Sequence, residues 1–254
     1  QFYKKALSLG EAEEAAPHIH EILVNMGRAC RMQGDLAAAR ECYSRAMDLL
    51  DEGDLAGRYQ ALYALGEISA EKGELEEAQQ FYEKSVTFCQ KIHESKGMAS
   101  SLAALASIHQ LKGEWKRVES CLAQARLILE EAGEDDSAAR ILIRMADFSF
   151  QEGRINEAAE RYEKGLSALA DIDPPLAARS AGHLGQCWLD LGEKAKAEAC
   201  LSQAIELFRR QGDLEGQADL LTLLAASLRE QGRMEEARSC LSRCLELWED
   251  LGNS

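Results

Sequence analysis

The chain is 254 residues long, with 44 acidic and 29 basic side chains and a formal net charge of −15. That balance argues against a phosphate-backbone partner, because nucleic-acid binders carry basic faces. No apolar run approaches the roughly 18 residues needed to span a bilayer, and no signal peptide opens the chain, so no membrane partner is expected.

Residues 1–7 already follow a pattern: Tyr3 stands 40 positions before Tyr43, and Ala6 stands 40 before Ala46. They read as a helix whose antiparallel partner is missing, a half repeat over 1–14. The same phrase then recurs from Gly34 (GDLAAARECYSRA), Gly73 (GELEEAQQFYEKS), Gly113 (GEWKRVESCLAQA), Gly153 (GRINEAAERYEKG), Gly192 (GEKAKAEACLSQA) and Gly232 (GRMEEARSCLSRC). These glycines are 39, 40, 40, 39 and 40 residues apart. A constant period in this range marks one supersecondary unit stacked on copies of itself.

Each glycine sits between a first helix (A) and a second (B). The phase predicts A helices over 18–33, 55–72, 97–112, 136–152, 174–191 and 214–231. It predicts B helices over 36–51, 75–92, 115–132, 155–170, 194–210 and 234–250. The repeats are then 18–53, 54–94, 95–134, 135–172, 173–212 and 213–254, forming one array over 1–254. Asp173-Pro174 is a start signal, a carboxylate for orphan amides followed by a proline that the first turn tolerates. Gly53, Gly97, Gly133 and Gly212, in the connections, suit a left-handed residue at a helix end.

Side-chain size also repeats. Five residues after the turn glycine stands Ala39, Ala78, Val118, Ala158, Ala197 or Ala237. Four further on comes a bulky group, Tyr43, Tyr82, Leu122, Tyr162, Leu201 or Leu241, and three beyond that a small one. In helix A, Met or Leu precedes Gly27, Gly66, Ala106, Ala146, Gly185 and Ala225. Small residues at fixed phases let antiparallel helices approach without leaving voids.

This series resembles the tetratricopeptide repeat family over nearly the whole chain, in a long form of about 40 residues rather than 34. Such repeats occur in kinesin light chains, polarity adaptors and the sensor regions of bacterial signalling proteins. The resemblance implies an all-α, TPR-like α-solenoid, a right-handed superhelix of antiparallel helix pairs. It implies a protein–protein interaction module that holds a peptide or protein segment in a concave groove lined by helix A. The alternative it leaves open is a regulatory sensor segment of a multidomain signalling ATPase, kinase or transcriptional activator.

No catalytic arrangement emerges, and neither an enzyme nor a cofactor is expected. The five histidines are scattered, and His109 falls at a packing phase. Of eight cysteines, Cys42, Cys121, Cys200 and Cys240 share one phase of helix B, and no CxxC is present. Shared phase means shared packing, so free thiols, no metal site and a reducing, cytoplasmic setting are expected.

Carried over phase by phase, the groove positions are Glu21, Val24, Asn25, Arg28 and Arg31 in the first repeat, then Gln60, Tyr63 and Glu67 in the second. The third gives Ser100, Ala103, Ser107 and Gln110, and the fourth Arg140, Ile143, Arg144 and Asp147. Arg179, His183 and Gln186 follow in the fifth, then Asp219, Thr222, Ala226 and Arg229 in the sixth. Arg140 and Arg144 lie one turn apart, and Arg179 and His183 occupy the same two phases one repeat later. Guanidinium forks suit carboxylates or phosphates, so an acidic or phosphorylated segment is one expected partner. The competing reading is that Asp147, Glu152 or another acid neutralises these cations as ordinary surface pairs, which contribute little.

Leu247-Trp248-Glu249-Asp250-Leu251-Gly252 echoes Leu207-Phe208-Arg209-Arg210-Gln211-Gly212, which leads into a further repeat. The array is therefore expected to be an excerpt of a longer protein. Phe2, Leu7, Leu241, Leu245 and Trp248 should be partly uncovered and invite self-association.

Overall fold

The computed structural model describes residues 19–51, 53–169 and 172–252, and in them the chain forms twelve α-helices and no strand. They are α1 (Ile19–Met32), α2 (Leu36–Leu49), α3 (Leu55–Glu71), α4 (Leu75–Ile92), α5 (Ser95–Leu111) and α6 (Trp115–Glu131). Then come α7 (Asp135–Gln151), α8 (Ile155–Leu169), α9 (Pro174–Asp190), α10 (Lys194–Gln211), α11 (Leu214–Glu230) and α12 (Met234–Gly252). The half repeat expected over 1–14 lies outside the described residues.

Two compact units divide the chain, Gln1–Gly133 with α1–α6 and Glu134–Ser254 with α7–α12. Inside each unit a helix packs chiefly on the helix before it and the helix after it. Helix A also touches helix A of the next repeat, as α3 with α5 and α9 with α11. That is the neighbour-on-neighbour packing of a TPR-like α-solenoid.

The turns follow from the repeated glycine. Gly73 has φ 77° and donates its amide to Ala70 O at 3.0 Å, and its five counterparts have φ between 72° and 78°. A side chain held in the left-handed region costs about 1–2 kcal/mol. Carboxylates open the following helices: Asp54 accepts from the Gly57 amide at 2.8 Å, and Asp213 from the Gly216 amide at 2.8 Å. Gly133 and Gly212 take the expected left-handed conformation. Gly97 does not, because α5 starts at Ser95 and places it in the first turn. A Cβ on Gly97 would lie 2.8 Å from the Tyr59 ring and 2.9 Å from Cys89 Sγ, so close approach calls for the glycine. The left-handed residue of that connection is His93, at φ 55°.

The size pattern becomes the core. Ala39, Ala78, Ala158 and Ala197 are fully buried, as are Tyr162 and Leu201, with Tyr43, Tyr82 and Leu122 nearly so. A Cβ on Gly66 would lie 2.7 Å from the Tyr82 ring, which rests directly on the backbone of α3. His109 is a satisfied core residue, 5% exposed with Nδ1 2.6 Å from Glu114 Oε2. All eight cysteines are free, and burial pushes the Cys89 thiol up to about 11 and the Cys187 thiol up to about 12.

On α12 the pattern lacks a cover. Leu241 is 47%, Leu245 64% and Trp248 47% exposed, whereas the counterparts of Trp248 in the other repeats (Leu50, Cys89, Leu129, Leu169 and Phe208) are buried. Phe2 and Leu7, expected to be uncovered in the same way, lie outside the described residues.

Candidate binding clefts on the helix-A faces

Each unit opens a cleft where its A helices stand side by side. In unit 1 a cleft of about 450 Å³ runs over α1, α3 and the start of α5. It gathers Arg28, Arg31, Tyr63 and Glu67, together with Val24, Gln60 and Ser100, all groove positions that the resemblance implies. Arg31 is ion-paired with Glu67 and lies 3.8 Å from Glu71. Burial pushes the Glu67 carboxyl above its ordinary range, with the Arg31 guanidinium acting the other way. The Tyr63 ring packs 5.5 Å from that of Tyr82. Arg28 is exposed and forms no hydrogen bond or ion pair with the described residues. The phases did not pick out Tyr59, Glu94, Lys96 or Gly97, which line the same cleft from the first turns of the A helices and the connection before them.

In unit 2 a cleft of about 250 Å³ lies over α9 and α11. Arg179, His183 and Gln186 line it from α9 and Asp219 from α11, and its walls are Phe150, Phe208, Leu220 and Leu223. His183 is exposed, yet held on three sides. Its ring stacks on Phe150 at 6.1 Å and 5°, and Nδ1 lies 3.3 Å from Asp147 Oδ1 and 3.2 Å from the Tyr162 hydroxyl. Tyr162 donates that hydroxyl to Asp147 at 2.5 Å, and burial, reinforced by Asp147, raises the phenol well above its ordinary range. Gln186 donates to Asp190 at 2.8 Å.

The four cations of adjacent repeats are placed differently from one another. Arg140 is exposed and bonds Asp173, the N-cap of α9, whose carboxyl is held low first by the Leu176 amide and then by Arg140. Arg144 is half-buried on α7, and neither it nor Arg140 is among the residues lining the unit 2 cleft. Arg179 stands exposed on that cleft with no hydrogen bond or ion pair to the described residues. Arg229, in the last turn of α11, is exposed and away from the cleft. Among the described residues no group of His, Cys, Asp and Glu is arranged to hold a metal ion, and no helix is long and apolar enough to cross a membrane.

Walls and rims of this kind offer aromatic and aliphatic surface edged by guanidinium groups, which suits a polypeptide segment. No curated protein matches the chain in sequence. Among solved structures, BtubC (BKLC) from P. vanneervenii aligns with TM-score 0.75 and 16% identity, covering 88% of this chain and 92% of the other. A signal transduction ATPase with numerous domains (STAND) and a tetratricopeptide repeat sensor, from Pyrococcus horikoshii, aligns with TM-score 0.73 and 16% identity over 92% of this chain and 36% of its own. A Rap protein complexed with Competence and Sporulation Factor aligns with TM-score 0.58 and 12% identity, covering 92% and 76%. At these identities the likeness concerns the fold. Residues 1–134 match the model of the MalT-like TPR region, and 144–213 and 217–251 match two tetratricopeptide repeat models. The chain belongs to the tetratricopeptide repeat family, in the MalT-like form over its first half, and its fold is a protein-interaction scaffold.

Proposed function

We propose that the helix-A faces hold a segment of another protein, with exposed arginines meeting its acidic or phosphorylated residues. The observation that carries this reading is the unit 1 cleft, in which four groove residues that the resemblance implies meet around one hollow. Arg28 and Arg179 are the cations best placed to act, since neither is in ion-pair contact with a described acid; Glu67 and Asp173 respectively feel their charge only at longer range. Arg140 would have to give up Asp173, and exposed pairs of that kind contribute at most about 1 kcal/mol. A desolvated charge-assisted contact contributes about 1.5–3 kcal/mol, so a well-placed partner carboxylate outweighs the pair. Crosslinking and mass spectrometry on complexes captured from native lysate test the reading. Crosslinks should fall on α1, α3, α5, α9 and α11, and Arg28→Glu/Arg179→Glu should remove them; crosslinks confined to the B helices would sink it.

A regulatory sensor is the second reading, favoured by the likeness to the sensor-bearing STAND ATPase. Under it, the segment bound in the clefts belongs to the signalling event rather than to a permanent assembly. Self-association through the uncovered face of α12 is part of the same proposal, and sedimentation velocity at rising concentration tests it. A strict monomer at high concentration, or a dimer that survives Leu245→Glu/Trp248→Glu, would count against it.

A further inference from the structure

We infer that the unit 2 cleft is a socket for one aliphatic side chain of the bound segment, with an acidic residue of that segment beside it on Arg179. The inference rests on the groove reading above and narrows it. Gly182 shapes the socket by letting Leu220 come close to the backbone of α9. At this phase of helix A the other repeats carry Val24, Tyr63, Ala103, Ile143 and Thr222, so the fifth repeat alone has no side chain there. Ile143 shows what a filler does at that phase, being 1% exposed and packed into the core. At Gly182 a Cβ would lie 3.1 Å from Leu220 Cδ2, so Leu220 leans over the bare α9 backbone and walls the hollow together with Phe150, Phe208 and Leu223. Gly216 keeps the far wall in place, since a Cβ there would lie 2.8 Å from the Phe208 ring.

Volume and charge choose the occupant. A hollow of about 250 Å³ falls below the roughly 300–1,000 Å³ of pockets that enclose whole small molecules, and suits one side chain entering from a longer segment. The two rims carry opposite charge, Arg179 on α9 and Asp219 on α11. Arg179 has no described acid in ion-pair contact, and Asp173, which feels its charge, is bonded to Arg140, so Arg179 is the rim that receives a carboxylate. Asp219 repels an acid on its own side and so sets the direction of the segment across the cleft. Burial of the aliphatic group supplies affinity, and the two charges supply orientation.

The probe is a phage-displayed library of random linear peptides selected against the whole chain. Selected sequences are then made as amidated peptides and titrated by fluorescence polarisation. The expected consensus is an aliphatic residue adjoining Asp or Glu. Gly182→Leu and Arg179→Glu should each weaken binding about tenfold or more. Replacing the aliphatic residue of the peptide by Ala should remove the sensitivity to Gly182→Leu. If Gly182→Leu fails to reach the wild-type circular dichroism spectrum and urea midpoint, Arg179→Glu and the peptide substitution decide the question. A consensus without the aliphatic–acid pair, or binding indifferent to both unit 2 variants, overturns the socket. Should those peptides respond to Arg28→Glu instead, the groove reading survives without it. No selected peptide, or none that responds to any of the three variants, overturns both.

Discussion

The two clefts occupy the same place in the repeat and are built in opposite ways. Unit 1 fills its helix-A phase with Tyr63 and sets an ion pair, Arg31 with Glu67, into the lining. Unit 2 empties the phase at Gly182 and lines the hollow with phenylalanine and leucine, leaving its charges at the rim. The aromatic hydroxyl differs too. Tyr162 is wholly buried and ties Asp147 beneath His183, whereas Tyr63 is half-buried and lines the cleft itself. One scaffold therefore makes a polar cleft and an apolar one by changing single residues at one phase, with the helices beneath left alone.

The largest effect that would sharpen this contrast is on the tyrosines. Tyr162→Ala should destabilise unit 2 by about 3–5 kcal/mol, because it opens a cavity in the core and strips Asp147 of a donor. Tyr63→Ala should cost about 1 kcal/mol, as an average substitution does, while weakening whatever the unit 1 cleft binds. Urea unfolding of the two variants side by side measures both, and equal losses would mean that Tyr63 is core rather than cleft.

A smaller effect is expected at the start of α9. Asp173→Ala removes an N-cap that accepts the Leu176 amide at 3.1 Å and should cost about 1 kcal/mol. It also releases Arg140, so binding of acidic peptides to unit 2 should be kept or improved while stability falls. A loss of both would place Asp173 in the recognition surface.

The smallest effect is a difference of sign in the response to acid. Glu67 is held above its usual 4.5, so in the window above that value the folded state keeps a proton that the unfolded chain has lost. Its contribution to stability therefore falls as pH rises through that window. Asp173 is held below its usual 3.8, so its contribution is present above that value and is lost as pH falls through the lowered one. Urea midpoints against pH for wild type, Glu67→Gln and Asp173→Asn should show slopes of opposite sign removed by the two variants. Slopes of one sign would mean that Arg31, not burial, dominates at Glu67.

Much of this was legible in the residues. Size phase placed the described helices to within a few positions, and the family resemblance carried over those phases pointed to Arg28, Arg31, Tyr63 and Glu67, which line one cleft. The helix-start residues Tyr59 and Lys96 escaped, because reach across a cleft depends on where a helix begins rather than on its repeat phase. Phe208 escaped because its phase carries the buried Leu50, Cys89, Leu129 and Leu169, and in this unit the packing surface is also the wall; Phe150 stands at the phase of Arg31, Gln110 and Arg229 but was not carried over with them. Arg140 with Asp173 joins residues 33 apart, and the carboxylate was legible only as a cap. The gap at Gly182 was there to be read by setting it against Val24, Tyr63 and Ile143, where glycine breaks a run of fillers.

The neighbour-only packing of the helices has a consequence for the order in which they come apart. Because contacts in each unit join mainly consecutive helices, few long loops must close before a helix pair is formed, and folding can begin at any pair. Opening follows the same connectivity in reverse. In the 254-residue chain taken by itself, α12 packs on α11 and leaves Leu241, Leu245 and Trp248 exposed, so in that chain its amides should exchange first within unit 2. Those of α9, between α8 and α10, should be the slowest. A gradient of protection along the chain, rather than a single cooperative step, is the dynamic signature of a fold built from one repeated sentence.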